Sequence, residues 1–227
     1  MTERETPPVD GLVIGILGGT GDQGRGLARR FALAGHQVII GSRSSERAAA
    51  AAQEIGHGVQ GLANADTARG ASVIIAAVPW EGHDDLLSAL AGELAGKIVV
   101  DCVNPLGFDQ RGAYALPVAE GGPAEGSAAQ QAAALLPGSR VVAAFHHVSA
   151  VLLLDPEVDT IDLDVLVLGD DREATDLVQA LAARIPGVRG IYAGRLRNCG
   201  QIEALTANLV SINRRYKAHA GLRVTDI

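Results

Sequence analysis

The feature that most restricts what this chain can fold into is a short apolar run, Leu12 to Leu17, that breaks into glycines spaced Gly19-x-Gly21-x-x-Gly24. It then resumes as Leu27, Ala28, Phe31 and Ala32, which has helical spacing. Strand, glycine turn and helix in this order are the context a dinucleotide-binding fingerprint requires. One glycine permits the tight turn, the next lets the backbone approach a pyrophosphate, and the third lets helix and strand pack closely. The helix N-terminus then turns free N–H groups and a partial positive charge toward the phosphates. The bland alternative is a plain tight turn, which would need neither the strand before it nor the helix after it.

The rest of the chain keeps the same rhythm. After the first helix (about 24–34), strand two is expected at 37–41 and an alanine-rich helix at 45–55, capped by Ser44 or Ser45. A short strand at 59–63 and a helical turn at 64–69 follow. Ser72 to Val78 is a continuous apolar run, the pattern of a strand buried on both faces of a parallel sheet, and Pro79 stops its ladder. A helix near 82–94, a strand at 97–102, a Gly/Pro-rich surface loop at 109–124, a helix at 128–136 and a sixth strand at 140–145 complete the alternation. Six strands alternating with helices predict an α/β fold, a Rossmann doubly wound parallel sheet. Beyond His147 the rhythm changes: a strand at 164–168, a helix at 171–183, a strand at 188–193 and a long helix at about 198–220. The division expected is a flexible tail at 1–10, a nucleotide-binding domain at 11–150, and a small C-terminal α+β domain at 151–227 closing a substrate cleft.

Composition narrows the function classes. The chain has 227 residues, 48% hydrophobic and 20% charged, enough for one sizeable core. No apolar run reaches membrane-spanning length, and the polar, proline-bearing start does not resemble a signal peptide. Cys102 and Cys199 form no metal or disulfide spacing, so a cytoplasmic protein with reduced thiols and no metal is expected. The net charge of −7 argues against nucleic acid, yet residues 184–227 carry eight basic side chains against only Glu203 and Asp226. That surplus suits an anionic ligand; a solvated helix face would read the same way.

The end of strand two separates NAD from NADP. An NAD protein usually has an acid there for the ribose 2′-hydroxyl. This chain has Gly41-Ser42-Arg43, with Arg47 one helical turn on. Arg43 can stack on adenine and pair with a 2′-phosphate, and the Ser42 hydroxyl can donate to it, which favours NADP(H).

Gly18-Gly19-Thr20-Gly21-Asp22-Gln23-Gly24, Gly41-Ser42-Arg43 with Arg47, Val78-Pro79-Trp80-Glu81 and Glu203-Ala204-Leu205-Thr206 occur together in one order. In this the chain resembles the NADPH-dependent reductases of coenzyme F420, also called F420H2:NADP oxidoreductases, over nearly its whole length. The resemblance implies a Rossmann domain holding NADP, a C-terminal domain forming a cleft with it, and a deazaflavin lying against the nicotinamide as co-substrate. It implies that Gly19, Thr20, Gly21, Asp22, Gln23 and Gly24 hold the pyrophosphate, and Ser42, Arg43 and Arg47 the 2′-phosphate. Val78, Pro79 and Trp80 would line the adenosine side, and Asn104, Leu106 and Ala150 would flank the nicotinamide. His146, His147 and Val148 would approach the deazaflavin. Two departures touch that pocket: the chain has His146-His147 where a single His followed by Thr is common, and Ser149 where Pro is common.

Read without the resemblance, the residues offer no Ser–His–carboxylate spacing and no metal cluster. Direct transfer between two hydride carriers needs little beyond stacking at about 3–3.5 Å, so this poverty fits. Glu203, Thr206 and Leu209 share one face of the last helix and are expected to line the cleft, with Glu203 paired to an arginine if buried. His83 is expected near ribose, and Trp80 is either core or cofactor contact. The surplus of positive charge, Arg214 and Arg215 above all, would attract the phosphate and glutamates of F420. Other readings are a small NADP reductase acting on an imine, ketone or metal chelate, which needs a proton donor that only the His pair offers, and a non-catalytic NADP sensor. Apolar Ile202, Leu205, Leu209 and Ile212 on the last helix would serve a homodimer.

Overall fold

Apolar runs such as Val73–Ala76 and Ile98–Val100 can be accommodated only in a sheet covered on both faces, and they form the centre of one. The computed structural model describes residues 7–227. In chain order the elements are β1 (Val13–Leu17), α1 (Asp22–Leu33), β2 (Gln37–Ser42), α2 (Ser45–Ile55), β3 (Gln60–Ala63), α3 (Asn64–Gly70) and β4 (Val73–Ala76). They continue with α4 (His83–Ala89), α5 (Ala91–Leu94), β5 (Ile98–Asp101), β6 (Leu106–Asp109), β7 (Gly112–Ala115), α6 (Ala128–Leu135) and β8 (Arg140–Ala143). The last are α7 (Ala150–Leu154), β9 (Leu163–Gly169), α8 (Arg172–Ala182), β10 (Val188–Gly194) and α9 (Cys199–Tyr216).

One sheet has the order β10-β9-β8-β5-β4-β1-β2-β3, and β6-β7 form a separate hairpin. From β3 to β8 all pairings are parallel, which is the Rossmann arrangement expected. Side chains alternate between two cores, one per face. Ile14, Val73, Ile75, Val100 and Val142 pack with Leu27 and Phe31 of α1. Ile74, Val99 and Val141 pack with Leu87, Leu94 and Leu136 on the other side. Each such fully buried side chain contributes about 1.5–3 kcal/mol.

The region after residue 150 has no sheet of its own. Its first strand, β9, pairs antiparallel with β8, Val142 opposite Gly169 and Ala143 opposite Leu168, and β10 then pairs parallel with β9. The strand edge left open by β8 is thereby covered. The helix α7, an Ala-Val-Leu-Leu-Leu turn and a half absent from the sequence reading, packs so closely on α1 that a Cβ on Gly26 would lie 2.6 Å from Leu153 Cβ.

Four local expectations need correction. The surface loop at 109–124 begins with the second half of the β6–β7 hairpin, whose turn is made by Asp109 Oδ1 accepting from the N–H groups of Arg111 and Gly112. The helix near 82–94 breaks at Leu90 into α4 and α5. The last helix stops at Tyr216, because Lys217 turns left-handed at φ 52°. Residues 1–6 of the expected tail lie outside the described residues, and beyond them Val9 is buried in the core and Asp10 pairs with Arg184 at 3.2 Å.

Candidate active site

The glycine loop is built as its spacing requires. Gly18 has φ +68°, and a Cβ there would strike Val78 Cγ1 at 2.4 Å. A Cβ on Gly19 would strike Ile40, and one on Gly24 would sit 2.6 Å from Gly19 Cα, so loop and helix touch backbone to backbone. Gly21 differs: its Cβ position meets nothing nearer than the Gly18 carbonyl oxygen at 3.8 Å, so space is open beside the start of α1. No side chain caps α1, leaving its first-turn N–H groups available. The Gln23 amide does not face that space; it donates to the Phe145 carbonyl at 3.2 Å.

The Gly19 N–H donates to the Gly41 carbonyl at 2.9 Å, which brings the end of β2 beside the loop. Ser42 is buried there, while Arg43 and Arg47 are exposed and form no ion pair among the described residues. Ser44 caps α2 by accepting from the Arg47 N–H. Open amides next to two unpaired arginines fit the pyrophosphate and 2′-phosphate of NADP(H).

At the carboxyl ends of β4 and β5 the geometry departs from expectation. His83 does not face a ribose. It is fully buried, with Nε2 2.6 Å from Asp101 Oδ2 and Nδ1 3.1 Å from Asp84 Oδ1. Burial opposes its charge, but the hydrogen bonds and charges of Asp101 and Asp84 outweigh burial and raise its pKa. Trp80 stacks on His83 with ring centroids 5.4 Å apart and donates its indole N–H to the Gly121 carbonyl.

Three elements meet at Asn104. Its Nδ2 donates to the His146 carbonyl at 2.8 Å, and its Oδ1 accepts from the Thr206 hydroxyl at 3.3 Å. His146 is 4% exposed, and neither ring nitrogen has a hydrogen-bond partner among the described residues. Burial lowers its pKa to about 4. His147 is also buried; its Nε2 donates to the Asp164 carbonyl at 2.7 Å, so Nδ1 is left as an unpartnered acceptor. Buried polar atoms without partners are costly, and the same holds for both ring nitrogens of His36. Phe145, just before His146, is held at φ 63° with its ring fully buried edge-on to Phe31. Such a conformation costs about 1–3 kcal/mol in a non-glycine residue.

Two of the expected contacts are closed off. Val148 is packed in the core and Leu209 is buried. Glu203 pairs with no arginine; its carboxylate accepts from the Ala128 and Ala129 N–H groups at the start of α6. Leu106 starts the hairpin and Ala150 starts α7, both half-buried. Of the basic C-terminal residues, Arg184, Arg189, Arg195 and Arg223 are engaged by Asp10, Asp164, Asp170 and Asp162, whereas Arg197, Arg214, Arg215 and Lys217 are exposed and unpaired among the described residues. His219, just beyond them, lies 3.4 Å from Ser149 Oγ, so this basic end reaches the start of α7. A cavity of about 550 Å³ between α8 and the end of β10 contains none of the expected site residues.

Two contributors were missed by the sequence reading. Arg30 is buried on α1 and donates to the carbonyls of Leu152, Leu153, Asp155 and Val158. Its place on the apolar face with Leu27 and Phe31 was a visible signal. Asp164 is buried and receives Arg189, Arg223 and the Val224 N–H, tying the C-terminal segment to β9; nothing local in sequence marks it.

A mostly parallel sheet with an open glycine loop and two unpaired arginines beside it is the architecture of a dinucleotide-binding protein, and its relatives make it an NADP-dependent oxidoreductase. Residues 13–105 match the family model described as NADP oxidoreductase, coenzyme F420-dependent. The F420-dependent NADP reductase of Methanothermobacter marburgensis is 40% identical over 95% of this chain and 99% of its own length. That of Methanocaldococcus jannaschii is 39% identical, again over 95% and 99%. A crystal structure from Arthrobacter sp. FB24, proposed to be an F420-dependent NADP reductase, superposes with a TM-score of 0.81 at 28% identity, covering 95% of this chain and all of that one. The chain belongs to the family of F420-dependent NADP reductases. Among the described residues no helix is long and apolar enough to cross a membrane.

Proposed function

We propose that this chain passes a hydride directly between NADP(H) and coenzyme F420, with Gly19–Gly24, Ser42, Arg43 and Arg47 holding the dinucleotide phosphates. Val78, Pro79 and Trp80 would border its adenosine half, and Asn104, Leu106 and Ala150 its nicotinamide. NADPH and the deazaflavin would supply the hydride donor and acceptor, with the one proton needed for reduction of F420 coming from solvent. The protein's part is to orient two planar rings and exclude water between them.

The observation that carries the reading is His146, buried at the end of β8 with both ring nitrogens unpartnered and bound through its carbonyl to Asn104. With a pKa near 4 it is neutral at physiological pH. It is therefore a poor proton source. This favours hydride exchange between two carriers over reduction of an imine or ketone, which demands a proton donor at the reacting atom. Thr206 supports Asn104 from α9, so residues 151–227 would form the wall of the substrate side.

Exposed Ile212 and Tyr216 on α9 support a homodimer, although Leu209 and Ile202 of the expected apolar face are packed within the chain. Light scattering of the purified protein tests it. The activity test is to mix the protein with NADPH and oxidised F420, follow the loss of deazaflavin absorbance, and repeat with NADH. Rapid loss with NADPH and little with NADH is expected. Tight NADPH binding with no loss of absorbance overturns the assignment.

A further inference from the structure

Behind the Asn104 loop lies a buried ionisable group, Glu203 with His83 and Asp101, for which the hydride reaction has no direct use. Glu203 belongs to α9, yet its carboxylate is directed at another helix. Oε2 accepts from the Ala128 N–H at 2.9 Å and Oε1 from the Ala129 N–H at 3.2 Å. These are the first two N–H groups of α6, which already has a cap of its own: Ser127 Oγ accepts from the Gln130 N–H at 3.0 Å. The two caps divide the work, Ser127 serving the Gln130 N–H and Glu203 the two N–H groups before it. What the Glu203 bonds add is a fixed position of α9 against α6. The backbones also meet nearby, since a Cβ on Gly200 would lie 2.5 Å from the Gly126 carbonyl oxygen.

Three residues after Glu203, on the same helix, Thr206 gives its hydroxyl to Asn104, and Asn104 holds the His146 carbonyl. Asp101 holds the same loop from the other side, accepting from the Val103 N–H at 3.0 Å. We infer that Glu203 is a positioning residue: by fastening α9 to the N-terminus of α6 it sets the Thr206–Asn104–His146 chain that shapes the F420 side of the site. The inference deepens the proposed function and rests on it for the identity of the ligand.

The groups facing Glu203 are Asp101 from β5, His83 from α4 and Cys199 from its own helix; α6 offers no ionisable side chain. Burial raises Glu203 to about 7, with the charge of Asp101 adding to the effect and the Ala128 and Ala129 N–H groups and His83 opposing it. Ionised, the carboxylate accepts two charge-assisted bonds; protonated, it presents a hydroxyl to an N–H and loses one. The fastening is thus stronger above neutrality than below it.

The test compares wild type, Glu203→Gln and Ser127→Ala. Glu203→Gln should raise the KM for F420 by roughly 3- to 10-fold and the KM for NADPH by clearly less, because the phosphate contacts at Gly19–Gly24, Arg43 and Arg47 are remote from the loop that also borders the nicotinamide. The wild-type KM for F420 should fall as pH rises through 7, and that dependence should flatten in Glu203→Gln. Ser127→Ala should lower the melting temperature without moving either KM. A readout independent of turnover is amide hydrogen exchange: Glu203→Gln should speed exchange in α9 around Thr206 and in the loop at 103–106, and Ser127→Ala in α6 alone. If Glu203→Gln behaves like Ser127→Ala in both measurements, Glu203 is only a helix cap. If the exchange pattern is as expected but wild type does not turn over F420, the fastening stands and the ligand assignment falls.

Discussion

Arg30 offers the sharpest test of how α1 and α7 are joined. It is 4% exposed, and its guanidinium reaches four carbonyls: Nε to Leu153 at 2.9 Å, Nη1 to Val158 at 2.7 Å, and Nη2 to Leu152 at 2.5 Å and Asp155 at 3.2 Å. Leu152, Leu153 and Asp155 lie at the C-terminal end of α7, where helical carbonyls lack partners of their own. Arg30→Ala leaves the Leu152, Leu153 and Val158 carbonyls without this donor beside a new cavity, while Asp155 keeps the Val158 N–H at 3.4 Å. Each unsatisfied buried group costs about 1–3 kcal/mol, though some rehydrate through the cavity. A net loss of about 3–5 kcal/mol follows, the range for truncating one partner in a buried charged network. At about 2–4 °C per kcal/mol for a chain of this size, the melting temperature should drop by roughly 6–20 °C in differential scanning calorimetry. Arg30→Lys keeps a charge but loses the planar fork, so it should fall between the two. A melting temperature for Arg30→Ala within about 2 °C of wild type would refute the reasoning and mean that water satisfies those carbonyls.

Three further outcomes are expected. Replacing Arg43 and Arg47 together by Ala should raise the KM for NADPH by roughly 10- to 100-fold, since each removes a charge-assisted bond to the 2′-phosphate, and leave the weak use of NADH unchanged in the same kinetic assay. Asp164 is held at about 2, chiefly by its hydrogen bonds from Arg189, against an ordinary 3.8; its contribution is present above pH 4 and lost as pH falls toward 2, so melting scans of wild type and Asp164→Asn should converge across that window. Reversing Arg214 and Arg215 to Glu should raise the KM for F420 and spare that for NADPH; equal effects on both, or none, would remove these arginines from the F420 tail.

What the sequence showed and what it hid follow from where each signal resides. The glycine turn between β1 and α1 and the buried parallel strands depend on residues adjacent in the chain, and both were legible. The direction of β9 was not, because it depends on how the segment from Ala144 to Asp162 winds through α7 and back. The β6–β7 hairpin was obscured by its glycines and by a turn made through an Asp109 side chain. Glu203 was legible as a buried acid sharing a helix face with Thr206, but its partners are backbone N–H groups 74 and 75 residues away, which carry no signature in the sequence. His146 could be placed at the ligand edge from strand counting alone; that its ring would be left without partners depends on tertiary packing.

The pairing of β9 with β8 also bears on how ligands enter and leave. A jaw that opens by swinging residues 151–227 would have to tear the Val142–Gly169 and Ala143–Leu168 ladder, pull His147 from Asp164, and strip Arg30 from α7. Hinged enzymes place their moving halves on separate cores joined by a few free residues; here the two halves share one hydrogen-bonded sheet. Swinging residues 151–227 as one body would therefore cost all of these bonds at once, and the β8–β9 ladder ties both regions into one sheet.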